Sequence, residues 1–117
     1  MAVATARAKF VRMSPRKLRL VADLIRGRKV VEARDILSFN MKAAAPILQK
    51  VLASAVANAD SLAAEREERI DTDEMLISNV QVNGGPTMRR FRAAPRGRAT
   101  RIRKRSSHIE LEISTNS

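Results

Sequence analysis

The chain reads as an α+β fold: a three-stranded antiparallel sheet with three helices on one face and a long protruding β-hairpin arm. Three observations predict it. Apolar residues recur at helical spacing between Ser14 and Leu62. Stretches near both termini and around Val80 follow a two-residue period. Between two strand-like stretches lies an internal run with no acid from Glu74 to Glu110 and many arginines.

Length and composition set the frame. With 117 residues the chain fits one domain, spanning 1–117, with a modest core. We expect a globular body of 1–83 and 106–117 and an arm of about 84–105. The formal net charge of +11 would self-repel without an anionic partner. Nucleic acid is the leading candidate, since each neutralised phosphate releases a condensed counterion. A membrane surface is the weaker candidate, because the most apolar helix carries few cations. The absence of cysteine excludes disulfides, thiolate chemistry and cysteine-bound zinc. No apolar run approaches the roughly 18 residues of a membrane span, and a cytoplasmic location is the default expectation. Three Phe with no Trp or Tyr argue against base stacking as the main recognition mode.

Ala4 to Val11 alternates, with Thr5, Arg7 and Lys9 outward and Ala4, Ala6, Ala8 and Phe10 inward. Ser14-Pro15 then starts a helix, with a hydroxyl N-cap and a proline where its missing N–H costs nothing. This helix runs to Arg26, stops at Gly27 and buries Leu18, Val21, Ala22 and Ile25. Arg12, Arg16, Lys17 and Arg19 crowd its first turn, against the helix dipole, and an external anion would relieve that conflict.

A short helix from Val31 to Leu37 turns Ala33, Ile36 and Leu37 inward, with Phe39 and Asn40 closing it. Asn40 then caps a helix from Met41 to about Ser61, with Pro46 near its first turn. Its apolar stripe is Ala44, Leu48, Val51, Leu52, Ala55, Ala59 and Leu62, and Lys50, Ser54, Asn58 and Ser61 form a polar strip opposite. Glu65 to Glu74 reads as a loop. Asp71, Asp73 and Glu74 within it suggest a cap or solvated turn rather than a metal site, since no further ligands converge. Leu76 to Asn83 is a strand with Leu76, Val80 and Val82 on one face. Ile109, Leu111 and Ile113 alternate with Glu110, Glu112 and Ser114 in the clearest half-buried strand.

Gly84 and Gly85 mark a bend or bulge where the arm leaves the sheet. Folding back near Ala94–Gly97 gives limbs of about eleven residues, which project roughly 35 Å at about 3.3 Å per residue. The arm's cations are Arg89, Arg90, Arg92, Arg96, Arg98, Arg101, Arg103, Lys104 and Arg105. Met88, Phe91 and Ile102 are its only large apolar residues. A ribbon of that composition buries no core of its own, so what it binds must stabilise it.

Ser14-Pro15-Arg16-Lys17-Leu18-Arg19-Leu20-Val21-Ala22-Asp23-Leu24-Ile25-Arg26-Gly27 resembles the first-helix signature of the bacterial-type ribosomal protein L-twenty-two family of the large subunit. Ala53 to Ala59 resembles that family's central helix. Gly85-Pro86-Thr87-Met88-Arg89-Arg90, Gly97-Arg98-Ala99 and Lys104-Arg105-Ser106-Ser107-His108-Ile109 match its hairpin in order and spacing. The resemblance implies a body on the outside of the large subunit and a hairpin threaded through ribosomal RNA. It further implies a hairpin tip lining the nascent-peptide exit tunnel, close to where macrolides bind. The tip would comprise Arg90, Phe91, Arg92, Ala93, Ala94, Pro95 and Arg96. Here the chain departs from the family's frequent Pro-Arg-Ala-x-Gly-Arg: the proline is displaced and Ala94 replaces a basic residue.

The expected RNA-binding residues are Arg7, Lys9, Arg12, Arg16, Lys17, Arg19, the nine arm cations named above and His108. Arginine suits phosphate through its planar fork and weak hydration, and such contacts position a protein on RNA more than they read bases. His108, the one histidine, reads as a hydrogen-bonding or RNA-contacting residue at a strand start. A nuclease role would need a second acid or a metal ligand. No enzyme, cofactor or metal is expected. The expected partners are large-subunit ribosomal RNA, neighbouring large-subunit proteins and a nascent peptide at the tip, within the ribosome. The alternative is a general DNA-compacting protein, against which the absence of a helix-turn-helix pattern or a dimerisation stripe weighs.

Overall fold

The computed structural model describes residues 3–84, 88–93, 99–104 and 106–115. Strand β1 (Val3–Val11) leads through Ser14 into helix α1 (Pro15–Ile25). Helices α2 (Val30–Phe39) and α3 (Ala44–Glu65) follow, then one 3-10 turn (Thr72–Glu74). The remaining elements are β2 (Leu76–Gly84), β3 (Met88–Ala93), β4 (Ala99–Lys104) and β5 (Ser107–Ser114). β1, β5 and β2 form one antiparallel sheet in that order, and β3 pairs with β4 in a second. The expected architecture of three helices on a three-stranded antiparallel sheet, with a hairpin arm, is the observed one.

The central place goes to β5, whose Ile109, Leu111 and Ile113 are at most 1% exposed. Fully burying each such side chain stabilises the fold by about 1.5–3 kcal/mol. They share one core with Leu18, Val21, Ala22 and Ile25 of α1 and Leu48, Leu52 and Ala55 of α3. All four core residues read for α1 are buried. Ser14 caps its start through its side-chain oxygen, which accepts from the Lys17 N–H. Alanines at positions 44, 45, 55 and 59 let α3 lie close to its neighbours.

Several boundaries and faces differ from the sequence reading. α3 starts at Ala44 and runs to Glu65, while Asn40 accepts from the Lys42 N–H at 2.8 Å in the turn before it. Asn40 therefore organises the α2–α3 connection rather than capping a helix. Pro46 is the third residue of α3, where its missing N–H would have had no intrahelical partner. α2 extends one residue earlier and two later than expected, bringing Val30 into the core while Ile36 is only half-buried.

In β2 a register shift between Ile77 and Asn79 gives the inward position to Ile77 instead of Leu76. In β1 a shift between Ala8 and Val11 takes Phe10 off the core face, where alternation had put it. One extra residue in one strand reverses every later side-chain direction, and a lone sequence cannot reveal it. Asn58 stays exposed on its polar strip, where it also donates to the Thr5 carbonyl at 2.9 Å. Ser114, expected outward, is 8% exposed. Gly84 pairs with Ser107 inside β2 and has no left-handed φ, while Gly85 lies outside the described residues.

The free edge of β2 is closed by the α1–α2 turn. Gly27 donates to the Ile77 carbonyl, Ile77 to the Arg28 carbonyl and Val30 to the Met75 carbonyl, at 3.0, 2.9 and 2.8 Å. Further along, Arg26 donates to the Val80 carbonyl at 2.7 Å and Arg19 to the Val82 carbonyl through two nitrogens at 3.0 and 2.8 Å. An edge whose carbonyls are occupied in this way is a poor template for another strand.

Candidate nucleic-acid interface

The arm is a register-defined hairpin. Met88 pairs with Lys104, Arg89 with Arg103, Arg90 with Ile102, Phe91 with Arg101, Arg92 with Thr100 and Ala93 with Ala99. The fold-back expected near Ala94–Gly97 lies outside the described residues. Opposed residues of an antiparallel pair share a face, and faces alternate along the strand. Arg90, Arg92 and Lys104 therefore occupy one set of positions, and Arg89, Arg101 and Arg103 the other. A strand pair that packs on a core keeps one set apolar. This one keeps neither, and it opposes Arg89 directly to Arg103, a like-charge arrangement that destabilises the isolated ribbon. The molecule measures 67 Å along its longest axis and 28 and 17 Å along the others, the proportions of a small body with a projection. Of the residues expected to meet RNA or to form the tip, Ala94, Pro95, Arg96, Arg98 and Arg105 lie outside the described residues.

At the foot of the arm, where β5 begins, three contacts tie β1 and the β1–α1 connection to the hairpin's return. Ser107 is fully buried and donates its hydroxyl to the Met13 carbonyl at 2.6 Å. The Phe10 N–H donates to His108 Nδ1 at 3.1 Å, leaving the ring proton of the neutral imidazole on Nε2. The two rings meet edge to face, with centroids 4.9 Å apart and planes at 88°. Phe10 holds φ +58° and is 63% exposed. For an L residue that left-handed conformation costs roughly 1–2 kcal/mol, and for a bulky aromatic it is a true outlier.

Next to this point α1 presents Arg16 and Lys17 in a first turn that holds no acid. Arg12, Lys17 and Lys42 rim an open groove floored by Met13, Leu20, Ala43 and Ala44. Among the described residues, Lys9, Arg12, Arg16, Lys17 and Lys42 enter no ion pair. The side of the body carrying α2 and the 3-10 turn behaves differently. Arg28 faces Glu32, Lys29 meets Glu74 at 2.9 Å, and Arg34 meets Asp73 at 3.0 Å. The hydrogen bond and charge of Glu74 raise the Lys29 pKa above its ordinary value. Asp71 caps the 3-10 turn by accepting from the Asp73 N–H at 3.1 Å. The acidic cluster is thus a cap and a set of ion-pair partners.

Two of the expected body contacts have structural occupations. Arg19 holds the β2 edge, and Arg7 lies 3.6 Å from Glu110 across the solvent face of the sheet. Lys9, Arg12, Arg16, Lys17 and His108 fall at the arm's foot and the start of α1. Sequence reasoning missed Lys42, which reaches this groove from the α2–α3 connection, and Phe10, whose exposure depends on the bulge. Only the fold brings residues 12, 17 and 42 together, and no local pattern in the chain signals it.

The model of the family described as ribosomal protein L22p/L17e matches residues 6–114. The large ribosomal subunit protein uL22 of Pediococcus pentosaceus is 50% identical over 111 residues, covering 95% of this chain and 90% of that protein. The protein of the same name from Oceanobacillus iheyensis is 49% identical over 110 residues, covering 94% and 93%. A match of this extent takes in the helical body, the sheet and both limbs of the arm, and the chain belongs to the ribosomal protein L22p/L17e family.

Proposed function

We propose that this protein is a structural, non-enzymatic constituent of the large ribosomal subunit that binds large-subunit ribosomal RNA, acting in the cytoplasm as part of the ribosome. Its body and arm work as one domain. The arm passes between RNA segments and its tip borders the nascent-peptide exit tunnel, where the nascent peptide and neighbouring ribosomal proteins are its other partners. The observation that carries this reading is the hairpin with cations in both alternating sets of positions. A surface with one cationic face suits a groove. A ribbon cationic on both suits enclosure by a polyanion, with each neutralised phosphate releasing a counterion. The cations at the arm's foot, which enter no ion pair among the described residues, extend the same surface onto the body.

The test replaces Arg89, Arg90, Arg98 and Arg101 by Ala and measures binding to deproteinised large-subunit RNA across a salt series. Thermal unfolding of the body should be unchanged. Affinity at physiological salt should fall by about a hundredfold or more, and the log–log salt slope should become shallower by about three. Unchanged affinity would overturn the reading, and equal affinity of the parent for duplex DNA would favour a general nucleic-acid binder. For the tip, cross-linking from position 93 in translating ribosomes should capture nascent chains. Capture of RNA alone would remove the tunnel assignment.

A further inference from the structure

We infer that Phe10 is a stacking platform for one unpaired RNA base at the foot of the arm; the inference rests on the ribosomal RNA reading above. Continued alternation would have put residue 10 inward with Ala4 and Ala6. The β1 bulge instead turns the ring out, in a left-handed backbone conformation that aromatic residues avoid. His108 holds it there from both sides of the chemistry: Nδ1 accepts the Phe10 N–H, and the imidazole meets the phenyl edge to face. In an edge-to-face pair at most one phenyl face is engaged, so the other is open, consistent with 63% exposure.

The surroundings select the occupant. Lys9 and Arg12 flank Phe10, neither enters an ion pair among the described residues, and no acid precedes Asp23 in the chain. The acid nearest to His108 in β5, Glu110, is engaged with Arg7. An open aromatic face beside cations, with the imidazole Nε2–H as a neighbouring donor, has the parts that single-stranded RNA sites use: stacking for the base and charge for its phosphate. Among the described residues, no other exposed apolar side chain, such as Phe39, enters a ring pair of this kind.

The chain contains no tryptophan, so Phe10→Trp introduces a single fluorescent reporter at the site. With the full-length variant, deproteinised large-subunit RNA should quench the emission several-fold and shield it from acrylamide. Inorganic polyphosphate of equal charge should do neither. Phe10→Leu, which keeps bulk and removes the π face, should weaken RNA binding about tenfold (range about five- to a hundredfold). Equal quenching by polyphosphate overturns the inference, as does parent-like RNA affinity in a folded Phe10→Leu. Should Phe10→Leu not fold, the fluorescence comparison decides alone. The arm variant keeps the two readings separate. If it loses RNA while Phe10→Leu does not, stacking fails and the ribosomal reading stands. If neither variant loses affinity, both fall.

Discussion

Body and arm are both built from antiparallel strands, yet they meet opposite conditions. In the body, β5 turns Ile109, Leu111 and Ile113 into a core closed by α1 and α3, and the outer edge of β2 has its carbonyls occupied. In the arm, β3 and β4 pair in register but place cations in both alternating sets and oppose Arg89 to Arg103. The body's stability is internal, coming from apolar area removed from water. The arm's hydrogen-bonded register is internal, but its charge is balanced only by something outside it. A chain can combine the two because the contacts at the foot, Ser107 to Met13 and Phe10 to His108, join the hairpin's return to the body.

Substitutions can break or sharpen this contrast. Leu111→Ala removes a fully buried side chain from the central strand and should lower body stability by about 2–5 kcal/mol in chemical denaturation. The same measurement on Ile102→Ala in the arm should show a change within about 0.5 kcal/mol. A large effect there would mean that the arm packs on the body. Gly27 holds φ +79° with open space around the site of a Cβ. Gly27→Ala should therefore cost about 1–2 kcal/mol from backbone strain alone, and a neutral result would show that the turn relaxes.

The end of α3 predicts a gain. Glu67 has φ +52°, Glu68 N–H bonds the Ala63 carbonyl and Glu67 N–H the Ala64 carbonyl, a Schellman closure with glutamate in the position that favours glycine. Glu67→Gly should raise stability by about 1 kcal/mol, measured by thermal unfolding. The smallest effect bears on the contrast most directly. Arg89→Glu puts opposite charges across the hairpin and should stabilise the free arm by about 0.2–1 kcal/mol, seen as slower amide exchange in β3. It should also weaken RNA binding. Weaker exchange protection together with tighter binding would contradict the account of the arm.

Where the determining interactions are local, residues alone sufficed. Ser14-Pro15 and the spacing of Leu18, Val21, Ala22 and Ile25 define α1, because caps and a 3.6-residue period act within a few positions. The alternation of β5 marked the sheet's interior, and the acid-free run between two strands marked the arm. Tertiary structure decided what depends on a distant partner. The bulges of β1 and β2 arise only against β5, and they exchanged Leu76 for Ile77 and brought Phe10 out beside His108. Arg19 and Lys42 look alike as surface cations in the chain. The β2 carbonyl claims the first, and the groove at the start of α1 receives the second. A side chain's charge is written in its own residue, whereas its occupation is set by which groups the fold brings within hydrogen-bonding distance.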